Sequence, residues 1–151
     1  MHVPPRFSTS MNTNLVTSAA TNCLNQIMLA MDNGDEQAFA SAFDPAGTCR
    51  VRIMNKEFTG ESELAGLCAT LHAKFKGMRH WEGNVCIQRD LEANPIRFLN
   101  TSYWKAMDGG ECVSTGMHED VLKYDEVTGT CVIQNRIVTH FWTKAAGHIE
   151  Q

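Results

Sequence analysis

Between Asn14 and Met31 the apolar residues Leu15, Val16, Ala19, Ala20, Cys23, Leu24, Ile27, Met28 and Met31 recur at steps of mostly three and four. That period predicts one long helix with a broad buried face. It ends at Asp32-Asn33-Gly34-Asp35, where Asn-Gly suits a helix end or turn and Asp35 is placed to cap a second, short helix over Glu36 to Phe43. Asp44-Pro45-Ala46-Gly47 reads as a turn. Cys49 to Met54 alternates as a short strand. Glu61 to Lys76 carries Leu64, Leu67, Cys68, Leu71 and Phe75 on one helical stripe, with His72 near its edge. Beyond it the period changes to two. Strands are expected over about 79–89, 96–107, 111–124 and 130–142, separated by turn signals at 90–95, Asp108-Gly109-Gly110 and 125–129. Hairpin-length connections imply antiparallel neighbours. The fold class expected is therefore α+β, with helices on one face of a curved antiparallel sheet.

Length and composition narrow this further. The 151 residues are the size of one domain, and 43% hydrophobic with 20% charged residues is an ordinary globular mixture. Residues 1–13, with Pro4 and Pro5, read as a flexible tail, 14–142 as the folded domain and 143–151 as a C-terminal tail. A net charge of -4 disfavours nucleic acid as a partner. No stretch approaches the roughly 18 apolar residues of a membrane span. Met1 to Asn14 has no apolar run of signal-peptide length, so the expected compartment is the cytoplasm. No two of the six cysteines are close enough for a CxxC motif, and most have apolar neighbours. They read as reduced core thiols.

Strand parity singles out candidate chemistry. His118 and Asp120 lie two apart and share a face; His80 and Asn84 share theirs unless Gly83 forms a bulge. Polar groups on an inward face must be hydrogen-bonded or border a ligand. Asp32 with His80 would make a general base and its orienter, and Asp120 with His118 a second pair suited to polarise an oxygen. Such sets serve proton abstraction beside a carbonyl, followed by isomerisation, cyclisation or loss of water, and need no cofactor. Trp81, Asn84, Tyr103 and Met54 are the candidate substrate contacts. Each residue has a plainer reading too: Asp32 as a turn residue, His80 as a satisfied core histidine, His118 and Asp120 as solvent-facing, Asn84 as a structural hydrogen-bonder, and Trp81, Tyr103 and Met54 as packing. His80, His118 and Asp120 could instead ligate iron or zinc, although no short ligand motif such as HExxH supports it.

Several segments resemble a known family. Met31-Asp32-Asn33-Gly34-Asp35 with Phe39 and Phe43 is similar to the "D-x-G-D…F" opening of the SnoaL-like, nuclear-transport-factor-2-like superfamily. So are Phe58-Thr59-Gly60-Glu61 before the third helix, Arg79-His80-Trp81-Glu82-Gly83-Asn84-Val85, Gly116-Met117-His118-Glu119-Asp120-Val121-Leu122, and the Asn135-Arg136 region. His118 stands where the family usually has tyrosine, and Cys131 where it often has tryptophan. The resemblance implies a cone, in which a bent sheet and three N-terminal helices enclose a pocket. It also implies either a cofactor-free enzyme of the scytalone dehydratase, ketosteroid isomerase or polyketide cyclase type, or a non-catalytic binding or assembly module. The expected partners are a small-molecule ligand or substrate and a second copy of the chain. By parity the sheet's outer face would carry Val113, Met117, Val121, Val132, Val138 and Trp142 to that homodimer contact.

Overall fold

The computed structural model describes residues 9–90 and 93–149, with side chains from residue 14 onward. Helix α1 (Thr9–Asn33) and helix α2 (Glu36–Ser41) lead into strand β1 (Phe43–Val51), a 3-10 turn at Arg52–Met54 and strand β2 (Lys56–Thr59). Helix α3 (Gly60–Lys74) follows. Then come β3 (Arg79–Asp90), β4 (Arg97–Asp108), β5 (Glu111–Asp125), β6 (Thr130–Thr143) and the short β7 (Gly147–His148). The four long strands fall within two residues of the ranges their alternation predicts. Each pairs antiparallel with its neighbour in the chain.

The sheet is nevertheless mixed. Its order is β2-β1-β6-β5-β4-β3, with β7 added to β6, and β1 runs parallel to β6. The wholly antiparallel sheet expected from the sequence is thus corrected at β1. The expected turn at Asp44 to Gly47 is also corrected. Those residues belong to β1, where the pairing with β6 shifts register between Phe43 and Thr48. The β1–β2 hairpin separates α2 from α3, where a single short strand was expected.

Helix α1 begins at Thr9, five residues before the apolar period starts; residues 1–8 of the expected N-terminal tail lie outside the described residues, as do 150–151 of the C-terminal one. The buried face of α1 consists of Val16, Ala20, Cys23, Leu24, Ile27 and Met28. With Phe39, Leu64, Leu67, Phe98, Leu122 and Ile133 it forms the core between helices and sheet. Leu15, expected on the buried face, is exposed. On α3 the stripe ends early, because Phe75 caps the helix at its exposed end.

The local signals at the helix junction operate as expected. Asp35 caps α2 by accepting from the Ala38 amide at 2.9 Å. Gly34 turns the chain at φ 68°, and a Cβ there would lie 2.5 Å from the His72 ring. All six cysteines are free thiols. Burial pushes Cys23 and Cys49 up to about 12, and Cys68 and Cys131 up to about 11, so these four are inert packing groups at neutral pH. No helix among the described residues is long and apolar enough to cross a membrane.

Gly116 on β5 sets the inner packing. A Cβ there would stand 1.9 Å from the Thr139 carbonyl oxygen and 2.5 Å from the Trp104 ring. The Thr139 clash is with backbone, which cannot swing away. Gly116→Ala is therefore expected to cost about 1–3 kcal/mol, the usual penalty of overpacking, read as a lower denaturation midpoint at unchanged slope.

Candidate active site

The last turn of α1 delivers Asp32 to the start of β3. Its Oδ1 lies 2.6 Å from Nδ1 of His80, and its Oδ2 accepts the His80 backbone N–H at 3.0 Å. Arg79 donates from Nη1 to the Asp32 carbonyl at 3.2 Å. A carboxylate is ill placed at a helix C-terminus, where the peptide dipoles present negative charge. Two hydrogen bonds from one histidine compensate. The pair is largely buried, with side-chain exposures of 13% for His80 and 7% for Asp32. This is the pairing that the sequence suggested.

The second pairing differs. His118 does not pair with Asp120; its Nδ1 meets Oε1 of Glu82, on β3. Asp120 instead takes a bidentate bond from Arg136, Nε to Oδ1 at 2.6 Å and Nη2 to Oδ2 at 3.1 Å, and a further bond from Asn100 Nδ2 at 2.9 Å. The reason lies in sheet geometry. Residues two apart on one strand share a face but seldom touch, whereas residues opposite one another on adjacent strands do. Asp120 sits opposite both Asn100 and Arg136. A chain of bonds links the two acidic groups, since Asn100 Nδ2 also donates to Ser102 Oγ at 3.2 Å and Ser102 Oγ to Glu82 Oε1 at 3.3 Å.

Charge follows from these contacts. Burial works against the Arg136 guanidinium, but Asp120 and then Glu82 hold its pKa above the ordinary arginine value. Burial would raise Glu82, yet the His118 hydrogen bond and the Arg136 charge hold it below the usual glutamate range. Burial, followed by Arg136, holds His118 below the usual histidine range against the opposing pull of Glu82. A charged Glu82 and a neutral His118 are mutually consistent if Nδ1 carries the proton and donates it to the carboxylate. His140 is pushed down to about 4 by burial, then by His118 and His80.

Trp104 stands among the three histidines. Its ring stacks on His118 at 5.7 Å between centroids, meets His140 edge-on at 4.9 Å and lies 6.1 Å from His80. A cleft of about 620 Å³ touches this cluster at Glu82 and Trp104. Trp81, Asn84 and Tyr103 also line it, so three of the four candidate substrate contacts come together. The fourth, Met54, is not among the residues that line it; it lies in the turn between β1 and β2, at the opposite end of the strand order from β3. Asn84 reaches the cleft because β3 shifts register between Gly83 and Cys86, with Asn84 itself at φ 50°. The bulge at Gly83 therefore takes Asn84 out of the regular alternation with His80. Among the described residues no three His, Cys, Asp or Glu side chains converge as metal ligands. In the suggested His80–His118–Asp120 set, both Asp120 oxygens already serve Arg136.

Sequence reasoning passed over Glu82 and gave Arg136 no role. Glu82 was within reach of the parity argument, being two residues from His80 on the same strand face. Arg136 fell within a family segment, but nothing local marked it as the partner of Asp120.

Fold and site together define a class. The chain matches the SnoaL-like domain model over residues 17–137 and belongs to that family. Solved structures share the fold at low identity. LinA is 12% identical with a TM-score of 0.76, covering 95% of this chain and 99% of its own. ActVI-ORFA from Streptomyces coelicolor is 20% identical with a TM-score of 0.69, covering 83% of this chain and 97% of its own. A putative scytalone dehydratase from Novosphingobium aromaticivorans is 17% identical with a TM-score of 0.69, covering 93% of both chains. No curated protein sequence matches the chain.

Proposed function

We propose that this protein is a cofactor-free acid–base enzyme of the lyase, isomerase or cyclase type, acting on a small apolar, oxygenated molecule. The observation that carries the reading is the 2.6 Å contact between Asp32 and Nδ1 of His80 at a largely buried place. A carboxylate on Nδ1 fixes the ring and stabilises the imidazolium, leaving Nε2 to take a proton from carbon beside a carbonyl. His118, with Nδ1 donating to Glu82, is available to bind the substrate oxygen as a hydroxyl, accepting its hydrogen bond at Nε2. Asp120 serves that end indirectly, by fixing Arg136 next to Glu82. Trp81 and Tyr103 border the cleft from the outer face of the sheet, Tyr103 standing opposite Met117, on the side away from His80 and His118. The test is to identify small molecules retained by the purified protein by mass spectrometry, then assay their dehydration, isomerisation or cyclisation. Retention of hydroxylated or carbonyl compounds that the protein converts supports the reading; retained compounds left unchanged count against it.

One observation favours a second reading, a non-catalytic ligand-binding or assembly module. Trp104 occupies the space among the histidines, and a filled cone needs no turnover.

We further propose a homodimer through the outer sheet face. Val113, Met117, Val121, Val132 and Trp142 take part, and the exposed Trp81, Leu99 and Tyr103 extend the apolar area. Val138 does not belong to that face, since it pairs with His118 and packs against the core. Light scattering at micromolar concentration is expected to give about twice the 16.8 kDa chain mass; a clean single-chain mass would contradict it.

A further inference from the structure

The cluster contains a second carboxylate–histidine pair with the same design as the first. In both, a buried carboxylate meets Nδ1. In both, Nε2 has no hydrogen-bond partner among the described residues. The two imidazoles flank one indole, at 6.1 and 5.7 Å between centroids. Glu82 and Trp104 open onto the cleft. Two buried polar atoms in the same cluster, Trp104 Nε1 and His140 Nδ1, also find no partner among the described residues. Buried polar groups in native proteins are nearly always paired, and a hydroxyl offers both a donor and an acceptor.

We propose that His118 is a second catalytic residue, whose Nε2 accepts the proton of a substrate hydroxyl, and that Glu82 is its positioning residue. The substrate class is accordingly an enol or phenol rather than a simple ketone. In the step, the substrate O–H bond breaks and an N–H bond forms at Nε2. The oxygen keeps the electron pair and becomes the oxyanion, and the proton returns when the oxyanion is quenched. Glu82 stays ionised throughout and stabilises the imidazolium. The inference rests on the acid–base reading of the site and adds a second proton-transfer group to it.

The test uses the whole protein with 15N-labelled histidine and two probes of matched shape, 1-naphthol and 1-methoxynaphthalene. The free protein at neutral pH is expected to show a histidine signal with Nδ1 protonated and Nε2 bare that is lost in His118→Gln and kept in His80→Gln. Naphthol is expected to shift that Nε2 signal and to bind about tenfold more tightly than the methyl ether, which has no proton to give. Glu82→Gln is expected to abolish this preference, while His80→Gln keeps it. A bare Nδ1 with protonated Nε2 on His118 in the unsubstituted protein overturns the proposal, whatever the variants do. So does a preference for naphthol that is absent in the unsubstituted protein or unchanged in Glu82→Gln. Loss of turnover in His80→Gln beside an unchanged preference in Glu82→Gln would remove this inference and leave the first pair standing.

Discussion

Replacing Asp120 with alanine is expected to lower the unfolding free energy by about 3–5 kcal/mol, the usual cost of removing one partner from a buried ion pair. Arg136 is 1% exposed, and its Nε and Nη2 both donate to Asp120. Without Asp120 the guanidinium keeps its charge, with Glu82 4.0 Å away and the Met28 sulfur its other neighbour. Asn100, whose Oδ1 has no partner among the described residues, would also lose its Asp120 bond. For a domain of this size the melting temperature should fall by roughly 6–20 °C. Replacing both partners with apolar residues of similar volume is expected to recover much of the loss, because the penalty belongs to the stranded charge rather than to the missing attraction. If Asp120 acted mainly on substrate, Asp120→Ala would melt near the original temperature and lose only activity. Denaturation of the single and double variants separates the two roles.

Replacing His80 with glutamine is expected to lower turnover by ~10²–10⁴, the usual worth of one positioned acid–base group, while ligand affinity changes little. Glutamine retains polarity and reach, and the His80 backbone bond to Asp32 does not depend on the side chain. The fold should persist. The lost interaction is made mainly in the transition state, so kcat falls with little change in KM when chemistry limits the rate. Asp32→Asn is expected to act in the same direction, because an amide no longer stabilises the imidazolium. Steady-state kinetics with a melting curve for each variant checks both.

The two results bear on what could be read from the chain. The alternation of β3 to β6 and the period of α1 were legible because each element's burial repeats locally. The β1–β6 parallel pairing was not, since it joins residues such as Cys49 and Arg136 that no local pattern connects. Asp44-Pro45-Ala46-Gly47 has turn composition, yet a register shift lets the sheet absorb it. At the site, the Asp32–His80 contact was legible because a helix-end carboxylate and the first inward residue of a covered strand converge in such a fold. His118 was assigned the wrong carboxylate because parity gives the face, not the neighbour. Its actual partner, Glu82, carried the same parity signal as His80.

The central claim, that the Asp32–His80 pair moves protons to and from carbon, is tested most directly by hydrogen–deuterium exchange at carbon. A panel of small cyclic ketones in deuterium oxide, followed by NMR with the protein and with its His80→Gln and Asp32→Asn variants, measures abstraction of the α-proton without requiring the natural reaction to finish. Faster exchange for at least one ketone, lost in His80→Gln and reduced in Asp32→Asn, is the expected result. Exchange equal in all three proteins for every ketone would contradict the account.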